Sequence, residues 1–87
     1  MPTSPIPYAE VTVPKTLVEA PNYQLYTHWL YQQPDVNAYT MISSEAALRG
    51  YKGEVIVLNG GSMDPSIRGT VRRMEVAGQF FVSRREV

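Results

Sequence analysis

Apolar and polar positions change rhythm along this chain, and each rhythm predicts a different element. From Tyr8 to Val13, residues Ala9, Val11 and Val13 alternate with Tyr8, Glu10 and Thr12, the period-two pattern of a half-buried strand that Pro14 ends or confines to an edge. Residues 15–21, KTLVEAP, allow a second short extended piece. The aromatic block 22–31, NYQLYTHWLY, fits two periods. As a helix it groups Tyr23, Tyr26 and Leu30 with Leu25 and Trp29 adjoining; as a strand it aligns Tyr23, Leu25, Thr27, Trp29 and Tyr31. Its wealth of Tyr, Trp and Thr favours the strand, because these side chains fit a pleated surface. The QQPDVNA that follows reads as a turn, with Pro34 setting φ and Asp35 and Asn37 bonding locally, before a strand from Ala38 to Ile42 that closes a hairpin.

Ser43 and Ser44 ahead of EAALR mark a helix over 43–49, with Gly50 as its left-handed cap. The rest reads as β: Glu54 to Leu58 as a continuous apolar strand, NGGSMDPS as a loop, and Thr70 to Val76 as a strand. A turn at Ala77-Gly78 then leads into Gln79 to Ser83. The expected fold is therefore α+β, a small antiparallel sheet of four to six strands with one short helix packed on it. Candidate core residues are Leu25, Trp29, Ile42, Leu48, Val55, Val57, Val71, Met74 and Val82. Five of the seven prolines lie at positions 2, 5, 7, 14 and 21, so residues 1–7 are expected to form an extended arm ahead of one domain over 8–87.

Composition narrows this picture. Val, Ile, Leu and Phe make up 21 of the 87 residues, enough apolar material for a folded body. A chain of this length argues against two domains, a doubly wound dinucleotide fold or a deep internal active site. The absence of cysteine excludes disulfides, thiolate metal sites and cysteine catalysis. The opening residues lack the pattern of a signal peptide, and no apolar run approaches the length of a bilayer span. No membrane association is expected, and the protein is expected to be soluble, in the cytoplasm or within an assembly that it binds.

Net charge is zero, yet the charge is unevenly distributed. Residues 1–48 carry one lysine against four acids, net −3, and residues 49–87 carry seven basic residues against four acids, net +3. Arg68, Arg72, Arg73, Arg84 and Arg85 fall on or immediately beside two strands expected to pair, which would gather planar guanidinium forks on one sheet.

Signals for catalysis are weak. His28 has no motif partner and reads as a structural or surface residue. Asn59-Gly60-Gly61-Ser62 follows a strand as phosphate loops do, but Met63-Asp64-Pro65 brings a negative charge where a helix start and a lysine would be needed, so the loop reads as a connection between strands. Asp35 and Asn37 lack the further ligands of a calcium loop. The eight acids all lie at least nine residues apart in sequence. Neither catalytic residues, metal nor cofactor is expected.

The stretch Lys52–Ser83 resembles the KOW pattern of ribosomal and transcription-associated small barrels in its KGE opening, a β run ending in glycine, and a G-x-V leading to a final apolar strand. The likeness covers about a third of the chain, and GGSMDPSIRG replaces the family's lysine-rich loop. It implies a small barrel that contacts nucleic acid. The function expected from the residues is that of a non-enzymatic interaction protein, a structural subunit or a stoichiometric inhibitor, docking on a larger protein or nucleoprotein assembly. Arg68, Arg72, Arg73, Arg84 and Arg85 would supply bidentate contacts, and Tyr23, Tyr26 and Tyr31 apolar area. Direct nucleic-acid binding by the arginine-rich hairpin is the alternative, and a homo-oligomer built on the aromatic segment is a third possibility.

Overall fold

The computed structural model describes residues 15–87. The expected arm over 1–7 and strand over Tyr8–Val13 lie outside the described residues. Strands β1 (Thr16–Glu19), β2 (Tyr39–Met41), β3 (Glu54–Leu58) and β4 (Phe81–Arg85) form one sheet in the order β2-β1-β3-β4. Every pairing in it is parallel, with Leu17 opposite Val55, Val18 opposite Met41, and Val55 opposite Val82. The mixture of helix and sheet is as expected; the antiparallel arrangement is not. Helices α1 (Tyr23–Leu30) and α2 (Pro65–Val76) connect β1 to β2 and β3 to β4. A parallel pair needs a crossover long enough to return the chain to the starting end of the sheet, and these helices supply it.

The aromatic block is helical, overturning the preferred strand reading. Asn22 caps α1 by accepting the Leu25 amide at 2.8 Å. Tyr26 and Trp29, three residues apart, are both buried, packing with Val18, Ala20, Ile56 and Leu58. The Trp29 ring meets Tyr39 edge-on with centroids 4.9 Å apart. Local β propensity yields here to what the sheet face can bury.

The larger correction concerns residues 65–76. Asp64 caps α2 through the Ser66 amide at 2.9 Å, and Pro65 takes the first helical position, where its missing N–H costs nothing. Ile67, Thr70 and Val71 are buried and Met74 is half-buried, a stripe at helical spacing that the Thr70–Val76 strand reading cut in two. The helix ends in a Schellman cap: Gln79 N–H donates to Met74 C=O, Gly78 N–H donates to Glu75 C=O, and Gly78 adopts φ +79°. The residues read as a hairpin turn thus stop a helix, and no arginine-rich hairpin forms. The small-barrel expectation falls with it.

The expected helix over 43–49 is a single 3-10 turn, Glu45–Leu48, without a side-chain cap from Ser44, although Gly50 is left-handed as read. Leu48 from this turn joins Leu17, Val55, Val57, Ile67, Val71 and Phe80 on the α2 side of the sheet. Alternation along β1 and β3 therefore feeds two cores: Leu17, Val55 and Val57 under α2, and Val18, Ile56 and Leu58 under α1. A strand buried on both faces reads as an unbroken apolar run, which is what Val55 to Leu58 is after the exposed Glu54. Short as it is, the chain winds a helix onto each face of a parallel sheet, the layout of doubly wound folds. Of the expected core, Trp29, Ile42, Leu48, Val55, Val57 and Val71 are buried, whereas Leu25, Met74 and Val82 are only partly so. No described helix is long and apolar enough to cross a membrane.

Candidate functional site

From β1 the chain passes through α1 to β2 on one side; from β3 it passes through α2 to β4 on the other. The strand order thus reverses between β1 and β3. In open parallel sheets this reversal leaves a crevice beyond the C-terminal ends of the two strands, the usual place for a ligand. Here it opens as a cleft of about 330 Å3 lined by Glu19, Val57, Gly60, Pro65, Arg68, Gly69, Val71, Arg72 and Arg84.

Each polar side chain reaches the cleft for a structural reason. Glu19 ends β1 two residues beyond Leu17 and so shares the α2 face; it pairs across the sheet with Val57, which pairs with Arg84. Arg68 and Arg72 lie one turn apart on α2. Asn59, at φ +46°, takes Val87 N–H on its side-chain oxygen at 2.6 Å, while its own N–H donates to Arg85 C=O. These bonds hold the end of β4, and with it Arg84, beside the loop.

Glu19 is 3% exposed. One carboxylate oxygen, Oε2, accepts the Ser62 amide at 2.7 Å. Burial raises the Glu19 carboxyl above the ordinary carboxylate range, and the Ser62 amide and the charges of Arg68 and Arg84 offset part of that rise. Arg84 donates to both oxygens of Glu75 at 2.8 and 3.1 Å, which holds Glu75 below its usual pKa and Arg84 above its own. This is the sole ion pair within 4 Å among the described residues. The side chains of Arg68 and Arg72 make no hydrogen bond or ion pair among them.

Of the contact residues expected from sequence, Arg68, Arg72 and Arg84 converge on this cleft. Arg73 instead donates to Thr70 Oγ1 at 3.1 Å, and Thr70 donates to Glu45. Arg85 alternates to the other face of β4 and is exposed. The tyrosines belong to α1 and its C-terminal cap, on the opposite side of the sheet: Tyr23 and the cap residue Tyr31 are exposed, but Tyr26 is buried and offers no contact area. His28 is exposed on the same helix beside Gln32. Among the described residues no group of three His, Cys, Asp or Glu could hold a metal.

Sequence reasoning missed Glu19 and undervalued the loop. Asn59–Ser62 does run into a helix start, contrary to its reading as a connection between strands, and Gly61 sits at φ +97° against the Glu19 carboxylate. The N-terminus of α2 is already occupied by its own Asp64, so positive charge at the cleft comes from guanidinium groups. No family model matches the chain, and no curated protein or solved structure matches it either.

Proposed function

We propose that this chain is a binding domain for a small anionic, phosphate-bearing ligand held in the cleft between β1 and β3. The observation that carries this reading is the pair Arg68 and Arg72, two guanidinium groups one helical turn apart and without protein partners among the described residues, facing a concave site with Arg84. Guanidinium forks match phosphate oxygens bidentately, and a cleft at a strand-order reversal is where such a ligand sits. At about 330 Å3 the site is at the small end of the range for ligand pockets.

Titration with inorganic phosphate and pyrophosphate, followed by calorimetry and by the rise in melting temperature, tests the proposal. The wild type is expected to be stabilised in proportion to the logarithm of ligand concentration. A double variant, Arg68→Ala with Arg72→Ala, should keep the fold and lose the response, whereas Arg73→Ala should keep both. Absence of any response from the wild type would reject the reading.

Docking on a larger protein is a second reading, supported by Val76 and Phe81, which are both 82% exposed. It no longer draws on an arginine-rich hairpin. The double variant Val76→Ser with Phe81→Ser should release a co-purified partner; retention would show that docking does not use these two residues.

A further inference from the structure

Resting on the anion-binding reading, we infer that the ligand is a phosphorylated sugar whose hydroxyl groups are recognised by Glu19. The observation is an acceptor without a donor. Glu19 is 3% exposed and lines the cleft, and only its Oε2 is engaged, by the Ser62 amide. Oε1 has no hydrogen-bond partner among the described residues, and no cation comes within ion-pair distance of the carboxylate there. An ionised carboxylate only accepts hydrogen bonds, and because no side-chain polar atom among the described residues is both fully buried and unpaired, Oε1 is an acceptor open to the cleft and not a sealed one.

A ligand in the cleft would donate to Oε1 in place of water, and the charge around Glu19 restricts the type of donor. Arg68 and Arg72 line the same cleft without ion-pair partners among the described residues, while Arg84 there is paired with Glu75, so an ammonium donor would meet two uncompensated like charges, whereas a neutral hydroxyl is not repelled. The two uncompensated guanidinium groups favour an anionic group elsewhere on the molecule. Val57 and Val71 add apolar wall against which the carbon face of a ring can lie, and Gly60 and Gly69 leave the wall low. Phosphate at one end and hydroxyl groups on a small ring at the other describe a sugar phosphate, either free or within a mononucleotide.

Glu19→Gln separates the two halves of the recognition. Ser62 N–H still needs an acceptor, so the glutamine carbonyl is expected to stay on it and turn the NH2 toward the cleft, exchanging a charged acceptor for a neutral donor. Calorimetric titration of the full chain at neutral pH would use ribose 5-phosphate, AMP and inorganic phosphate. The wild type is expected to bind ribose 5-phosphate about 10-fold more tightly than inorganic phosphate, the scale of one charge-assisted hydrogen bond. In Glu19→Gln that preference should fall to within about 2-fold, while inorganic phosphate binds no more weakly than before, because a negative charge has gone. Glu19→Asp, which keeps the charge but withdraws the carboxylate by one methylene, should also lose the preference and serves if the glutamine variant folds poorly.

AMP bound more tightly than ribose 5-phosphate would assign the sugar to a nucleotide; equal affinity would leave the free sugar phosphate. Wild-type protein that binds inorganic phosphate and both sugar phosphates equally would overturn the role of Glu19 and leave the anion site standing. Wild-type protein that binds none of the three would overturn the anion site itself.

Discussion

The Glu19 carboxylate occupies the space that a side chain at position 61 would need. A Cβ built on Gly61 falls well inside contact distance of Glu19 Oε2, and Gly61 is at φ +97°, where residues other than glycine are strained. The glycine thus lets the loop close over the end of β1 and bring the Ser62 amide to the buried carboxylate.

Gly61→Ala is therefore expected to cost about 2–4 kcal/mol, from backbone strain plus displacement of the Glu19 side chain. Gly60→Ala, also at positive φ but with nothing within 4 Å of its Cβ, should cost about 1 kcal/mol. Urea unfolding of the two variants checks the difference; equal losses would show that Glu19 does not fill the space.

Glu19 and Glu75 should give stability opposite dependences on pH. The folded-state pKa of Glu19 lies above its ordinary value of 4.5, so its ionisation opposes folding as pH rises through that range. Glu19→Gln should accordingly melt higher than wild type at neutral pH, with the gap closing below about pH 4.5. Glu75 is held below the same ordinary value by Arg84, so its contribution is present above 4.5 and is lost as pH falls. Glu75→Gln should melt slightly lower at neutral pH and converge with wild type in acid. Melting curves across pH 3–8 distinguish the two behaviours.

Phe80 and Phe81 are adjacent in sequence and opposite in environment, at 5% and 82% exposure. Phe80→Ala should cost about 3–5 kcal/mol, and Phe81→Ala should stay within about 0.5 kcal/mol of wild type. Denaturant midpoints suffice to separate them, and a similar loss at both positions would contradict the register of β4.

Trp29→Ala should cost about 3–5 kcal/mol, because it leaves a cavity in the core on the α1 side of the sheet and removes the edge-on contact with Tyr39. Tyr23→Ala, on the same helix but 68% exposed, should cost less than about 0.5 kcal/mol. A thermal melt in which Trp29→Ala behaves like Tyr23→Ala would place the tryptophan at the surface.

Several elements were legible in the chain itself. EVIVL is β3 with the bounds its composition marks, Asp35 takes the Asn37 amide as its turn chemistry predicts, and Gly50 is left-handed where a cap was expected. The misread elements share one physical cause. The Ile67, Thr70, Val71 and Met74 stripe has helical spacing, but it straddles the end of the NGGSMDPS loop signal and the start of the β-favouring Thr70–Val76. In α1 the β-favouring aromatic residues are outweighed by the burial that Tyr26 and Trp29 gain on the sheet. KTLVEAP carried the weakest signal, and it supplies β1, a central strand of the sheet, because four residues show little periodicity until neighbours cover both faces.

The sequence by itself determined the mixture of helix and sheet, the position of β3, and the concentration of arginine in the second half of the chain. Those features rest on residue type and short spacing. Tertiary structure decided the parallel pairing, since the direction of a strand depends on whether a turn or a helix precedes it. It also decided the site. Glu19 acquires its role only when a loop 43 residues further along folds onto it, and Arg68, Arg72 and Arg84 share a cleft only because β4 returns beside β3. Local pattern carries no information about contacts of that sequence separation, so the arginines could be counted in advance but not the carboxylate they surround.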